Sequence, residues 1–567
     1  MHIGRYNTSK KIYIYHMHLN RERYDERRKV KKTYKMELVF HKCLFFLTLF
    51  FLQFSISTTA FFNEFLDCIA TTTSSANIVF TPNDTLYSTV LQSSIHNLRA
   101  IDTPTSTKPL AIITPFLYSH VQSAVICCVR FGLNVRIRSG GHDYEGLSYT
   151  SRNHTPFILL DLNQLRSVEV DLDSKTAWVE SGATLGELYY WVSQKSDLLG
   201  FPAGECTSVG VGGQLSGGGF GMLARKYGLS VDNVVDARLV DVNGRIRDRD
   251  SMGEDWFWAV RGGGGGSFGV VVSWKINLVY VPRTVTVFSL SKPLDENGTQ
   301  LVHKWQHVAP NVTNDLFINL IISPIQEVGG SSWMMQVTIN SLFLGTTNQL
   351  LEIVSDVFPE LGLQAKDCIQ MSWIESVVYY SFYLRGQSID VLKNRPAMPK
   401  SYFKVKSDYV TKPIPIDALE EIWKWCLRAN LSLLIEPHGG KMSEIDETAT
   451  PYPHREGNLY MIQYIMGWDD EDGGFKASKR YVGWVRRVYE KMTPYVSKKP
   501  RGAYVNFRDL DLGTINCNAS YGEAKRWGKK YFGGNFRRLA IVKGMVDPAN
   551  FFSSEQSVPP LVLSSSY

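Results

Sequence analysis

The chain has 567 residues, of which 44% are hydrophobic and 12% aromatic. It is too long for one ordinary core and too apolar for a wholly disordered protein. Residues 1–35 carry eleven Lys/Arg against three Asp/Glu and the remainder 50 against 51, so the net charge of +7 sits at one end. The nearly neutral body offers no electrostatic footprint for nucleic acid.

Taken in chain order, residues 1–35 are a basic N-terminal extension, and Met36 opens a second plausible start. Residues 36–60 predict a secretory signal peptide. Lys42 is a short basic region, residues 43–54 are almost all apolar, and Ser55–Ala60 are small and mostly polar. The apolar run falls short of the roughly 20 residues of a membrane span, so no stable span is expected. Residues 1–35 have no evident role ahead of such a signal. They belong either to an over-extended reading frame or to a basic tail that makes the stretch a signal anchor.

Export agrees with glycosylation sequons at Asn83, Asn153, Asn297, Asn311, Asn430 and Asn518. Of eight cysteines, Cys43 leaves with the signal, and the seven that remain are an odd number. In an oxidising compartment at least one sulfur then has another task. No CxxC pair and no histidine cluster of metal spacing occurs, so no metal site is expected. The expected location is extracellular or cell wall, with the vacuole as the alternative.

Residues 61–107 read as a lead of helix and loop, and 108–282 as alternating strands and helices. Ser119–Gln122 has a capping-box pattern opening a helix, with Val121, Ala124, Val125 and Cys128 as its apolar stripe. Val168, Val170 and Leu172 alternate with charges as a half-buried strand does. Thr184–Glu187 opens a second helix with the same capping pattern. Asp236–Val242, then Asn243-Gly244, then Arg245–Arg247, predicts a hairpin on a type I′ turn. Residues 283–500 read as a second α+β domain. It includes a helix over Asp417–Ala429 that presents Leu419, Ile422, Trp423, Cys426 and Leu427 on one face. The segment 501–567 is expected to pack back on the first domain.

Glycine concentrates in three stretches, Arg138–Gly146, Gly204–Gly221 and Arg261–Gly269, and eight of the eighteen residues of the second are Gly. Such loops let backbone N–H groups converge closely on an anion, as a pyrophosphate-bearing ligand requires. Gly264–Gly269 satisfies the G-x-G-x-x-G expression. It stands after a helix-like segment and before the strand-like Val270–Ile276, the reverse of the order a Rossmann unit needs, so it is not read as an NAD site.

With RSGGHDYEG and GECTSVGVGGQLSGGGFG both present, the chain resembles the plant berberine bridge enzyme-like family, from about Cys68 to Pro560. Further matching text lies at Tyr227–Val234, Gly439–Ile445, Asn506–Gly513 and Val546–Phe552. The resemblance implies an α+β fold: a vanillyl-alcohol-oxidase/PCMH-type FAD-binding domain, and a substrate domain with an antiparallel sheet backed by helices. It also implies a bicovalent FAD, with His142 on the flavin 8α-methyl group and Cys206 on C6, which occupies the odd sulfur. Further FAD contacts are implied at Ser139, Gly140, Gly141, Gly146, Gly210, Gly213, Gly218, Gly219, Asn233, Val234, Gly269, Val270 and Asn506. The family's N-terminal disulfide falls on Cys68 and Cys127, with the adjacent Cys128 a competitor.

The implied reaction is hydride transfer from a donor to flavin, then reoxidation by O2 to give H2O2. Val209, three residues after Cys206, occupies the family's oxygen-gating position, where a small residue admits O2. The catalytic positions depart from the relatives. Gln463 stands where alkaloid-cyclising members carry a Glu base, and an amide is no general base near neutral pH. Phe507 and Phe220 replace tyrosines, and Met461 replaces a lysine that supports one of them. Tyr144 is the remaining polar candidate, and Gln463 is a candidate hydrogen-bonding partner for a substrate hydroxyl. Lys441 and His454 are family-typical and either catalytic or structural.

The expected function is a secreted, monomeric FAD oxidase of an alcohol, either an oligosaccharide at its reducing end or an aromatic allylic alcohol. The alternatives are an oxidase of an alkaloid or another specialised metabolite, and a flavin-binding glycoprotein with little turnover.

Overall fold

Strand and helix patterns resolve into four sheets in the computed structural model, which describes residues 6–73, 78–104, 106–152, 155–327, 330, 332–381, 386–395, 400–515 and 520–562. The chain divides into two units, Met1–Thr71 and Thr72–Tyr567. The described residues of the first belong to a helix, Tyr6–Thr72, that runs without a break through positions 35 and 60. Among the described residues no helix is long and apolar enough to cross a membrane.

In the second unit, β1 (Val79–Phe80), β2 (Ala111–Ile113), β3 (Asn134–Arg138) and β4 (Phe157–Asp161) form a sheet of order β1-β2-β4-β3. It is parallel apart from β1. All five residues of β4 are buried, as a strand covered on both faces requires. Next come β5 (Val168–Asp171), β6 (Thr176–Glu180), β7 (Leu199–Gly200), β8 (Val234–Val240), β9 (Ile246–Arg247), β10 (Val270–Asn277) and β11 (Val279–Tyr280). They make an antiparallel sheet, β5-β6-β10-β8-β9, and the pair β11-β7.

The third part is one seven-stranded sheet. Its strands are β12 (Val285–Pro293), β13 (Leu316–Gln326), β14 (Trp333–Phe343), β15 (Cys368–Met371), β16 (Tyr402–Val410), β17 (Ser432–Pro437) and β18 (Tyr460–Trp468). The order is β15-β12-β14-β13-β17-β18-β16, and every pair is antiparallel. Because side chains alternate along a strand, Leu433 and Ile435 of β17 and Ile462, Tyr464 and Met466 of β18 enter one core. There they meet the helices Thr299–Val308, Ile416–Ala429 and Ser478–Lys491. Each fully buried aliphatic or aromatic side chain contributes roughly 1.5–3 kcal/mol. The intervening Leu434, Glu436, Met461, Gln463 and Ile465 take the opposite face, toward the glycine-rich half.

Arg225 joins that half to the sheet. It is 1% exposed. Its guanidinium donates to the carbonyls of His438 (3.0 Å), Thr313 (3.1 Å), Leu316 (2.6 Å), Pro310 (3.2 Å) and Val312 (2.7 Å). That uses the full set of five donor hydrogens an arginine carries. The C-terminal segment reaches back likewise. Lys543 Nζ donates to the Ser267 carbonyl at 2.6 Å, and Arg136 pairs with Glu555 at 2.9 Å.

The expected helix over Asp417–Ala429 forms as Ile416–Ala429. Leu419, Ile422, Trp423 and Cys426 are buried, and Leu427 is half-buried. Thr184 and Glu187 make the expected capping box. Three local expectations are corrected. The helix near Ser119 spans Tyr118–Arg130 with Leu117 at its N-cap and no side-chain cap. Gln122 instead donates to the Gly244 carbonyl at 2.7 Å. Strand β5 ends at Asp171, leaving Leu172 outside it and 47% exposed. The hairpin of β8 and β9 forms, but not on a type I′ turn, which needs positive φ at both central residues. Gly244 alone has it, at +73°, and Asp241 Oδ1 accepts from the N–H groups of Asn243 and Arg245, each at 2.9 Å.

Cys68 and Cys127 are both disulfide-bonded, whereas Cys128 keeps a buried thiol, so of the two neighbours Cys127 carries a bridge. Cys517 lies outside the described residues. Asn83, Asn297, Asn311 and Asn430 are exposed, and Asn153 and Asn518 lie outside the described residues.

Candidate active site

The first two glycine clusters pack backbone to backbone. A Cβ added at Gly140 would lie 2.3 Å from Gly210 N, and one at Gly210 would lie 2.0 Å from Ser139 Oγ. No larger residue fits either place. The third cluster joins them through Gly264 N–H, which donates to the Ser216 carbonyl at 2.8 Å. Asn506 closes the group by donating to the Gln214 carbonyl at 3.0 Å.

These loops and the open face of the seven-stranded sheet enclose a cavity of about 830 Å³, within the roughly 300–1,000 Å³ of ligand pockets. All three glycine clusters line it, as do Ser139, Gly140, Gly141, His142, Tyr144, Cys206, Val209, Gly210, Gly213, Gly269, Gln463 and Asn506. Gly146, Gly218, Gly219, Asn233, Val234 and Val270 stand behind that lining. Asn233 Nδ2 donates to the Tyr227 and Leu229 carbonyls, each at 3.0 Å, and Val234 and Val270 are buried in the sheet.

His142 and Cys206 meet at one hydroxyl. Ser208 Oγ lies 3.0 Å from His142 Nε2 and 3.5 Å from Cys206 Sγ. Burial, then the neighbouring His96, holds the His142 imidazole well below its ordinary pKa, so the ring is neutral. The two imidazoles lie 3.9 Å apart between centroids. Burial raises the Cys206 thiol, and hydrogen bonds from Ser208 oppose that rise.

The loop that carries His142 is fixed on several sides. Arg508 pairs with Asp143 at 2.9 Å, and Asn97 donates to the Tyr144 carbonyl at 2.7 Å. Glu145 is held by Arg99 and by Lys404, which also reaches Asp509 at 2.6 Å. Burial would raise the Glu145 carboxyl, but the Lys404 and Arg99 cations prevail and bring it down to about 2.

Tyr144 stacks on Phe507 (5.6 Å, 14°) and meets Phe403 edge-on (5.6 Å, 88°). Its hydroxyl accepts from Gln463 Nε2 at 2.8 Å, so its own O–H is left to point at a ligand. Burial pushes that hydroxyl's pKa up, which keeps it protonated. Phe220 stacks on His438 at 5.3 Å, and Met461 is 1% exposed. Lys441 pairs with Glu444, whereas His454 stacks on Tyr409 at 3.8 Å and faces the Ala503 carbonyl at 3.1 Å. His454 is therefore a packing residue.

The buried Ser148 and Ser181 hydroxyls line the cavity and have no protein partner among the described residues. Orphaned donors beside closely packed glycine backbone suit a ligand that bears phosphates and hydroxyls.

Residues 109–249 match the FAD binding domain family, and residues 503–559 match the family described as berberine and berberine like. Tetrahydroberberine oxidase of Berberis wilsoniae is 49% identical over 89% of this chain and 95% of its own length. The chain belongs to the berberine bridge enzyme-like family. Another such relative, the monolignol oxidoreductase AtBBE-like 13 of Arabidopsis thaliana, is 47% identical over 84% of this chain and 88% of its own. The crystal structure of Phl p 4, a grass pollen allergen with glucose dehydrogenase activity, superposes with a TM-score of 0.83. It is 45% identical and covers 88% of this chain and 100% of that one. The fold is thus the FAD-binding PCMH-type domain with its antiparallel partner sheet, and this berberine bridge enzyme-like chain is an FAD-linked oxidoreductase acting on a small molecule.

Sequence reasoning did not single out Ser208, Glu205 or Glu436, which all stand at the site. Ser208 lies inside the quoted second motif but is an ordinary residue there. Glu436 did carry a signal, being the one carboxylate of β17 and following the apolar run Leu433–Ile435, where a charge is costly.

Proposed function

We propose that this chain is a secreted oxidase that removes a hydride from an alcohol and carries its FAD on two covalent bonds, through His142 and Cys206. The observation that supports the reading best is the shared hydroxyl of Ser208, which holds a neutral imidazole and a thiol within reach of one point of the cavity wall. FAD held by these residues would supply the hydride acceptor and a two-electron route to O2, with H2O2 as product.

The chain's own residues do the rest. Ser139, Gly140, Gly141, Gly210, Gly213, Gly269 and Asn506 line the cofactor's part of the cavity. Tyr144 donates its O–H to the donor's oxygen, and Gln463 fixes the direction of that bond. Val209, which is half-buried and lines the same cavity, is the oxygen gate. In this reading residues 36–60 direct export, 108–282 hold FAD, 283–500 face the donor, and 501–567 close the first domain.

The similarity to the monolignol oxidoreductase and to the glucose-oxidising allergen supports an alcohol donor. That to tetrahydroberberine oxidase supports an alkaloid donor as the second reading. The test is acid precipitation of the purified protein, followed by peroxide release with cinnamyl alcohol, cellobiose and a tetrahydroprotoberberine. Yellow colour retained by the polypeptide and peroxide from an alcohol are expected. Colour left in the supernatant would overturn double attachment, and peroxide from the amine alone would shift the donor class.

A further inference from the structure

Two carboxyls in the cavity wall have no part in the proposal above. Glu436 stands on β17 opposite Met461, while Leu434 stands opposite Gln463. Glu436 and Gln463 are therefore diagonal neighbours on one face, a relationship that spans roughly 7–8 Å. Glu205 immediately precedes Cys206, and its backbone carbonyl accepts from Ser381 Oγ at 3.4 Å. Both glutamates line the cavity. Neither carboxyl has a hydrogen bond or an ion pair with any described residue, although Glu436 is only 7% exposed.

Among the described residues, the groups around them offer no counter-charge. Tyr144, Tyr409, Tyr452 and Tyr504 face Glu436, and burial keeps all four hydroxyls protonated. Glu205 faces Tyr189 and Cys206, which burial likewise keeps neutral. His438, two residues along the chain from Glu436, is held neutral by burial. The cation beyond it, Arg455, is committed to Asp232 at 2.7 Å. In such surroundings ionisation of either carboxyl disfavours ionisation of the other. Burial raises Glu205 to about 7, and burial together with Glu205 raises Glu436 well above the ordinary range.

We infer that Glu436, with Glu205 in the same cavity wall, is the base that takes the donor's hydroxyl proton. The inference rests on the alcohol-oxidase reading above. As the donor's O–H bond breaks, its proton goes to the carboxylate. The hydrogen of its C–H bond leaves as hydride with both electrons, and a carbonyl remains. Returning that proton completes H2O2 when O2 has taken the electrons, so the overall change is alcohol plus O2 to carbonyl plus H2O2. A carboxyl whose hold on a proton is raised above the ordinary range is the stronger base once ionised, as a base at this place requires.

The experiment uses the holoprotein. Infrared titration follows the protonated-carboxyl C=O band in wild type, Glu436→Gln, Glu205→Gln and Glu436→Asp. Anaerobic stopped-flow bleaching by the alcohols of the panel gives the reduction rate against pH. Wild type should show a buried-carboxyl band titrating near neutrality. Either glutamine variant should abolish that titration while keeping the covalent flavin. Glu436→Gln should slow bleaching roughly 10²–10⁴-fold and flatten its acid limb, and Glu436→Asp should recover much of both. If wild type bleaches and Glu436→Gln does so at the same rate, the inference falls while the oxidase reading stands. A wild type without the titrating band overturns the inference as well. If no alcohol bleaches wild type, the alcohol reading falls and this inference with it.

Discussion

Gln463 Nε2 donates to the Tyr144 hydroxyl at 2.8 Å, linking β18 to the loop of His142 across 319 residues of sequence. An amide in this place cannot take a proton, but it fixes where the phenol's remaining hydrogen points. Tyr144→Phe should therefore lower kcat/KM by roughly ten- to a hundredfold, the loss of one hydrogen bond of about 1–3 kcal/mol, with the flavin still attached. Gln463→Leu should lose less, because the hydroxyl remains and only its aim relaxes. Steady-state peroxide assays on both variants check this, and equal losses would show that the hydroxyl and its orientation cannot be separated.

Two attachments predict a graded response. His142→Ala and Cys206→Ala should each keep yellow colour in acid-precipitated protein, because the other bond persists. The double variant should release all of it. Peptide mass mapping provides the second reading, and loss of colour in either single variant would contradict two independent bonds.

Ser208 touches both proposed attachment residues, His142 and Cys206. Its hydroxyl orients a neutral imidazole and opposes the burial that raises the thiol. Ser208→Ala should leave the fold intact and yield protein with incomplete flavinylation, seen as a mixture of singly attached and fully attached species by mass. A homogeneous, fully attached product would deny the serine this role.

At the proposed oxygen gate, Val209→Leu adds one methylene to a half-buried wall of the cavity. Flavin reoxidation by O2 should slow by roughly tenfold or more, about 1.4 kcal/mol on that barrier, while anaerobic bleaching keeps its rate. Stopped-flow mixing with O2 separates the two steps.

Acid should loosen the His142 loop before it unfolds ordinary surface elements. The Glu145 carboxyl is depressed in the folded chain, from 4.5 to about 2. Its contribution is present in full above the unfolded value and fades as pH falls from about 4.5 toward 2. Lys404→Met removes one cation from this buried group and should cost about 3–5 kcal/mol. The variant should also lose part of the wild-type dependence of stability on pH in that window. Urea unfolding at a series of pH values measures both effects.

Much of this arrangement can be read from the sequence, and the remainder has identifiable causes. Glycine at 140 and 210 is legible because two backbones in contact admit nothing larger. The stripe Val121, Ala124, Val125 and Cys128 is legible because burial follows helical spacing, and all four are buried. The capping box at Ser119 is not, since Gln122 finds a distant carbonyl at Gly244. The Asn243-Gly244 turn misleads because the Asp241 carboxylate organises a longer loop. Ser208 and Glu205 acquire meaning only when segments remote in sequence converge, which no local pattern records.

Arg225 has a consequence for how a donor arrives. A guanidinium that satisfies five carbonyls from the sheet side acts as a rivet, and neither lysine nor any shorter side chain reproduces that fan. Parting the glycine-rich half from the sheet would strand all five acceptors at once. A donor accordingly meets two halves already fastened together at this point.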